Sequence, residues 1–305
     1  MGMPVKVFKS SDVTAPQLSG VRGDFKTVIK ACLVTGYGSG ENLKTSLGWG
    51  IVPGTESADG YTCAFRPQSS NSSENIVKID CTSGSTALLT GWFDANANGT
   101  LSNGSSNMIP LPYWAAGGVD WWLIGHENSF IFVVRWKGKN NNDQAGGVSR
   151  GMFFGEIGTN INNSRANTLL LRLAGSYDVL NNYNTDDLAS HLAPENTRIS
   201  MSADGLKFWQ QTTQGFQTGE MSHGYSKIKG DMYFSKVSLV EGGEFRGFWP
   251  FGYLVHHKLK SPENFTIKNI GGVDYLLALC GQGLREDPSY GVSMPILINL
   301  VEWDF

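Results

Sequence analysis

The chain has 305 residues, with 24 Lys and Arg against 27 Asp and Glu, and only 17% of its residues are charged. The net charge of −3 excludes a broadly basic surface built to grip nucleic-acid phosphates, and a hydrophobic content of 40% excludes wholesale disorder. Its 38 glycines, above the ordinary share of ~7%, suit many short strands and turns and argue against a helical bundle or coiled coil.

In chain order, residues 1–20 read as an extended N-terminal arm with Pro4, Pro16 and a Ser19-Gly20 turn. From Asp24, apolar residues at Phe25, Val28, Ile29, Cys32 and Leu33 mark one face of a helix of ~10 residues. Asp24 is placed to cap it, and Gly36-Tyr37-Gly38-Ser39-Gly40 to end it. A helix this short needs a surface to pack on, and a sheet is expected.

From about Leu47 to Ile157 the pattern changes to period two. Gly60–Arg66 and Asn75–Cys81 read as strands around a Gln68-to-Ser73 turn. Asp120–His126 and Ser129–Trp136 form the clearest hairpin, turning at Glu127-Asn128, and Gly151–Ile157 is one more strand. The stretches Ala95 to Asn107 and Gly138 to Gly147 read as loops. Leu169–Leu173 is apolar but short, and fits a strand or a helical turn. Asp186–Leu192 reads as a helical turn stopping before Pro194. Arg198–Ser202 and Leu206–Trp209 flank an Asp204-Gly205 hairpin turn. Val237–Val240, Tyr253–His257, Asp274–Cys280 and Pro295–Leu300 complete the strands. The fold class expected is mainly β: antiparallel sandwich or barrel-like sheets with one short N-terminal helix. The expected division is an arm, 1–20, a β domain with the helix, 21–158, and a second β domain, 159–305. Continuity of the last two as one unit is left open.

No apolar run reaches the roughly 18 residues of a membrane span. The start lacks the apolar core of a secretory signal, so all four cysteines, Cys32, Cys63, Cys81 and Cys280, read as reduced and buried. Cys63 and Cys81 fall on neighbouring strands, which leaves a bridge between them open. Asp94-Ala95-Asn96-Ala97-Asn98-Gly99 opens like a calcium loop, with oxygen ligands at positions 1, 3 and 5. Position 12 is Ser105, where the bidentate Glu belongs, and Asn and Gly are also ordinary turn residues. Asp94, Asn96 and Asn98 are therefore metal candidates that the turn reading outweighs. His256-His257 sit side by side on a strand, pointing to opposite faces. Glu156 with Asp178 or Asp186 could be imagined as a glycosidase pair, but nothing gives their separation. Trp121-Trp122 lie on opposite faces of their strand, so one of them is free to meet another layer or a partner. No cofactor is called for by any motif.

Several stretches together have a familiar order. Val5-Lys6-Val7-Phe8-Lys9-Ser10-Ser11-Asp12 leads to Ala15-Pro16-Gln17-Leu18-Ser19-Gly20, and Ala31-Cys32-Leu33-Val34-Thr35-Gly36-Tyr37-Gly38 ends the helix. Gly48-Trp49, Trp122-Leu123-Ile124-Gly125, Phe154-Gly155-Glu156-Ile157, Phe245–Tyr253 and Gly272–Leu277 follow. This order resembles a family of virion structural proteins of tailed bacteriophages and prophages. The resemblance implies a non-enzymatic, multi-copy particle component of the tail, collar or neck, made in the bacterial cytoplasm and resident in the virion. Its implied partners are copies of itself and other virion proteins of tail, neck or capsid, with no membrane, no direct nucleic acid and no small-molecule substrate. A tail-associated carbohydrate- or receptor-binding module and a capsid decoration protein are the alternatives. On this reading the arm and the last strand contact neighbouring subunits, and Val5, Val7, Phe8, Trp121, Trp249 and Trp303 are the interface candidates.

Overall fold

The computed structural model describes residues 2–70, 72, 75–82, 86–104, 109–112, 119–136, 149–157, 168–173, 199–201, 209–211, 234–235, 238–241, 244–255, 264–281 and 293–305. The arm supplies β1 (Met3–Pro4) and β2 (Lys6–Lys9), and α1 (Asp24–Lys30) follows. Then come β3 (Gly50–Ile51), β4 (Thr62–Arg66), β5 (Ile76–Asp80), β6 (Thr86–Ala95), β7 (Leu101–Gly104) and β8 (Ile109–Pro112). After them run β9 (Val119–His126), β10 (Ser129–Trp136), β11 (Ser149–Glu156) and β12 (Thr168–Leu173). The rest are β13 (Ile199–Met201), β14 (Trp209–Gln211), β15 (Phe234–Ser235), β16 (Ser238–Glu241), β17 (Glu244–Phe248), β18 (Gly252–Val255), β19 (Thr266–Ile270), β20 (Val273–Gly281), β21 (Ser293–Asn299) and β22 (Glu302–Trp303). The protein is mainly β, in antiparallel sheets with one short α-helix, and none of its sheets closes into a barrel among the described residues.

Helix α1 forms where the apolar spacing predicts. Phe25, Val28 and Ile29 are buried, and Cys32 and Leu33 carry the face onward through a π turn, Ala31–Thr35. Its cap differs from expectation. Gly23, at φ 82°, is the N-cap, and no side chain caps the helix. Asp24 is the first helical residue, and its Oδ2 accepts the Ser19 and Gly20 N–H groups at 2.7 and 2.8 Å. The carboxylate is thus used on the turn that delivers the chain to the helix, where it also suits the positive helix end. Gly36, at φ 71°, ends the element because a Cβ there would fall on the Lys44 carbonyl.

One sheet of six strands has the order β3-β4-β5-β6, with β7 and β8 sharing the far edge of β6. The segment after Ala95 is therefore a hairpin return and not simply a loop. β6 escaped the period-two reading because Gly91 interrupts it and Leu88-Leu89 break the alternation. The larger sheet runs β15-β18-β21-β20-β11-β10-β9-β2, with β12 beside β11 and β19 beside β20. Leu169–Leu173 is thus strand. Strands from both sides of residue 158 belong to this one sheet. They meet along β11, which pairs with β12 from Gly151 opposite Leu173 to Glu156 opposite Thr168 and touches β20 at one parallel pair, Ser149 opposite Cys280. There the Ser149 hydroxyl and the Asn264 amide bond each other in the interior, and Arg135 reaches from Asp120 to the Asn264 carbonyl at 2.8 Å. The small pair β13–β14 sets Met201 opposite Trp209, and the expected Asp204-Gly205 turn and residues 206–208 lie outside the described residues.

The middle of the larger sheet is buried on both faces. On one, Phe8, Trp121, Leu123, Phe130, Phe132, Met152 and Phe154 pack with α1 and with Cys63, Phe65, Val77, Ile79 and Leu89 of the six-stranded sheet. Phe25 stands edge-on to Phe132, with ring centroids 5.1 Å apart. On the other, Ile124, Ile131, Val133, Phe153, Leu276, Ala278, Ile296 and Ile298 are covered by Trp249, Phe251 and Trp303. Double burial explains why Phe130-Ile131-Phe132-Val133-Val134 is continuously apolar: the alternation is between two cores, not between core and water.

Candidate functional site

Three buried polar side chains, His126, Asn128 and Ser129, meet at the tip of the β9–β10 hairpin. His126 ends β9, Glu127-Asn128 make the turn, and Ser129 opens β10. Opposite Ser129 stands Gly155, at φ 136°, where a Cβ would strike the Ser129 backbone and hydroxyl. That close approach lets Ser129 Oγ donate to the Glu156 carbonyl at 3.2 Å. His126 is 5% exposed and Asn128 4%. The His126 Nδ1 accepts the Asn128 backbone N–H at 3.2 Å, which leaves the ring proton on Nε2. His126 Nε2 and Asn128 Oδ1 are buried without a hydrogen-bond partner among the described residues. Asn128 Nδ2 faces Glu156 Oε2 at 3.5 Å. Trp303 and Phe305 stand perpendicular to the imidazole, with centroids 5.5 and 4.8 Å away, and Trp49 Nε1 donates to the His126 carbonyl at 3.4 Å. Burial pulls the imidazole pKa down to about 4, so the ring is neutral at neutral pH. With Nδ1 already accepting and Ser129 turned to the Glu156 carbonyl, this constellation holds a hairpin tip in place and does not form a nucleophile–base pair.

A second polar group ties the arm to the loop after the helix. Asp12 Oδ2 accepts the Tyr37 hydroxyl at 2.7 Å and the Lys9 N–H at 3.1 Å, with Lys44 Nζ at 3.7 Å. Burial, with the bond to Asp12 after it, holds the Tyr37 hydroxyl protonated far above its usual range. Lys44 also donates to the Val7 carbonyl, and Lys6 to the Ser46 carbonyl at 2.6 Å, so lysines close the outer edge of β2. A third group is Glu56, held below the usual carboxylate range by hydrogen bonds from Lys26 and Lys30. Cys32, Cys63 and Cys81 are free and buried. Burial raises all three thiols, Cys63 to about 11 and Cys81 to about 12, which makes them poor nucleophiles. The bridge left open between Cys63 and Cys81 is not formed: Cys63 pairs with Ile79, and the Cys81 N–H bonds the Tyr61 carbonyl.

The residues singled out from sequence are placed as follows. Asn96 Oδ1 accepts the N–H groups of Asn98 and Thr100, and Asp94 Oδ2 accepts from Asn103 at 2.7 Å. These oxygens close the β6–β7 turn. No group of three or more metal-ligating side chains occurs among the described residues. Phe8, Trp121, Trp249 and Trp303 lie inside the chain's own core, each no more than 1% exposed, and Val5 and Val7 pack partly buried against it. The four aromatic residues among them are not presented on a surface. The arm pairs with its own chain: β2 lies on β9, and β1 on β22. Trp121 and Trp122 do face opposite cores, the second under the Lys9 ammonium at 5.4 Å. Asp178, Asp186, His256 and His257, and the stretch Gly138 to Gly147, lie outside the described residues. The His126 corner went unread from sequence. Its one signal was a histidine and an asparagine bracketing a tight turn between two continuously apolar strands.

No protein-family model matches this chain, and no curated protein matches it.

Proposed function

We propose that the chain is a non-enzymatic structural component of a tailed-bacteriophage virion, present in several copies in the tail, collar or neck. One observation supports this reading above others. The segments that carry the resemblance most specifically, Ala15–Gly20 and Ala31–Gly38, are spent on construction. The Pro16 carbonyl accepts Trp121 Nε1 at 3.1 Å, and Gln17 bonds the Ser10 and Ala15 carbonyls. Leu18, Cys32 and Leu33 are core, and the Cys32 and Leu33 carbonyls accept the Leu47 and Trp49 N–H groups at 2.9 Å. These bonds satisfy carbonyls that a helix end otherwise leaves open. A segment used for packing and main-chain bonding in this way fits a structural role. The test is mass spectrometry and electron microscopy of purified particles. The chain is expected in multiple copies at one symmetric position; its presence in the host lysate alone, with none in particles, overturns the proposal.

A further inference from the structure

Residues Val301–Phe305 lie across the His126 corner as a strap. Trp303 fills a slot against Phe153 and Phe251, with ring centroids 6.2 and 6.0 Å away, and its Nε1 donates to the Asn299 carbonyl. Asn299 Oδ1 accepts the Val301 and Glu302 N–H groups and so sets the turn into the strap. The main-chain hold is small: two residue pairs, Met3 with Trp303 and Pro4 with Glu302, one bond from Val5 N–H to the Val301 carbonyl at 3.0 Å, and one from Asp304 N–H to the Pro250 carbonyl at 3.3 Å. Local opening of so small a ladder costs far less than unfolding either core.

Protonation of His126 strikes at this hold. A proton on Nδ1 removes the acceptor of the Asn128 N–H and sets two donors against each other. The new charge sits beneath the Trp303 and Phe305 rings, and lifting those rings is what admits water to it. The elements packed about the ring carry these ionisable residues. They are Glu127 on the turn, bonded by Ser69 at 2.8 Å, Glu156 on β11, Glu302 and Asp304 on the strap, and Lys6, whose register partner is Gly125. The segment around Trp49, residues 47–51, carries none.

We propose that Val301–Phe305 is an acid-released strap: protonation of His126 lifts it, takes Trp303 out of the second core, parts β22 from β1, and frees both segments while the rest of the two cores stays folded. Opening uncovers the Trp303 slot and the main-chain edges of β1 and β22 together. The device belongs to this chain's own residues and stands whether or not the virion reading holds. It is consistent with the neutral ring that burial enforces at neutral pH.

Hydrogen exchange of the full chain, followed by mass spectrometry from pH 7 to 3.5 and corrected for intrinsic rates, tests it. Residues 2–5 and 299–305 are expected to lose protection together before β10 and β11 do, between the ordinary histidine pKa and about 4. His126→Asn keeps an acceptor for the Asn128 N–H but does not titrate there, and its strap opening is expected at least about one pH unit lower. Phe305→Ala, which thins the cover, is expected to open at higher pH and serves if His126→Asn does not fold. Simultaneous loss of strap and cores, or unchanged midpoints in these variants, overturns the proposal. So does opening that disappears in Glu127→Gln, Glu156→Gln or Asp304→Asn while His126 is intact.

Discussion

His126 shows how a single side chain ties local geometry to stability. Its folded pKa of about 4 lies below the ordinary value near 6.5. Between these values the unfolded chain binds the proton and the folded one does not, so stability rises with pH. The contribution is complete above about pH 6.5 and is lost as pH falls through about 4; it amounts to about 3 kcal/mol. Urea unfolding is expected to show a lower midpoint at pH 4.5 than at pH 7, with the drop reduced in His126→Asn. An equal drop in both proteins removes His126 as its source. The residue type and its turn were legible in the sequence, but the rings that bury it come from a segment 177 residues away at Trp303, and no local pattern announces that meeting.

Among elements, the arm is the instructive case. Its extended character was legible from Pro4, Pro16 and the Ser19-Gly20 turn. Its partner was not: β2 lies on β9 of the same chain, and its outer edge is closed by Lys6 and Lys44. Asp12 secures this arrangement, because one oxygen serves a hydroxyl, a backbone N–H and an ammonium at once. Asp12→Ala leaves the half-buried Tyr37 hydroxyl and the Lys9 N–H without their acceptor, at an expected cost of about 1 to 2 kcal/mol. Thermal or chemical unfolding measures this, and a double-mutant cycle with Tyr37→Phe is expected to be non-additive. Additive losses would mean that the two side chains do not share one bond. The helix shows the converse. Its apolar face was readable to the residue, whereas its cap passed to Gly23 because Asp24 was needed by the preceding turn.

At the scale of the whole molecule, the larger sheet carries a core on each face. Ile131 and Phe132 are neighbours in sequence and belong to different cores. Ile131→Ala is expected to cost about 2 to 5 kcal/mol and Phe132→Ala about 3 to 5 kcal/mol. The double variant is expected to lose close to their sum, as sites without shared partners do. Strong coupling measured by urea unfolding would mean that the two faces act as one core. Aromatic residues that looked available for partners, Trp121, Trp249 and Trp303, are what fill these cores. The sequence alone determined the β character, the helix face, the Glu127-Asn128 hairpin and the buried cysteines, because periodicity and turn chemistry act between residues close along the chain. Only the tertiary structure decided that the sheet has two buried faces, that strands from both halves share it, and that β1 meets β22. Those depend on which distant segments exclude water from one another, and a pattern that records burial does not name the segment that does the burying.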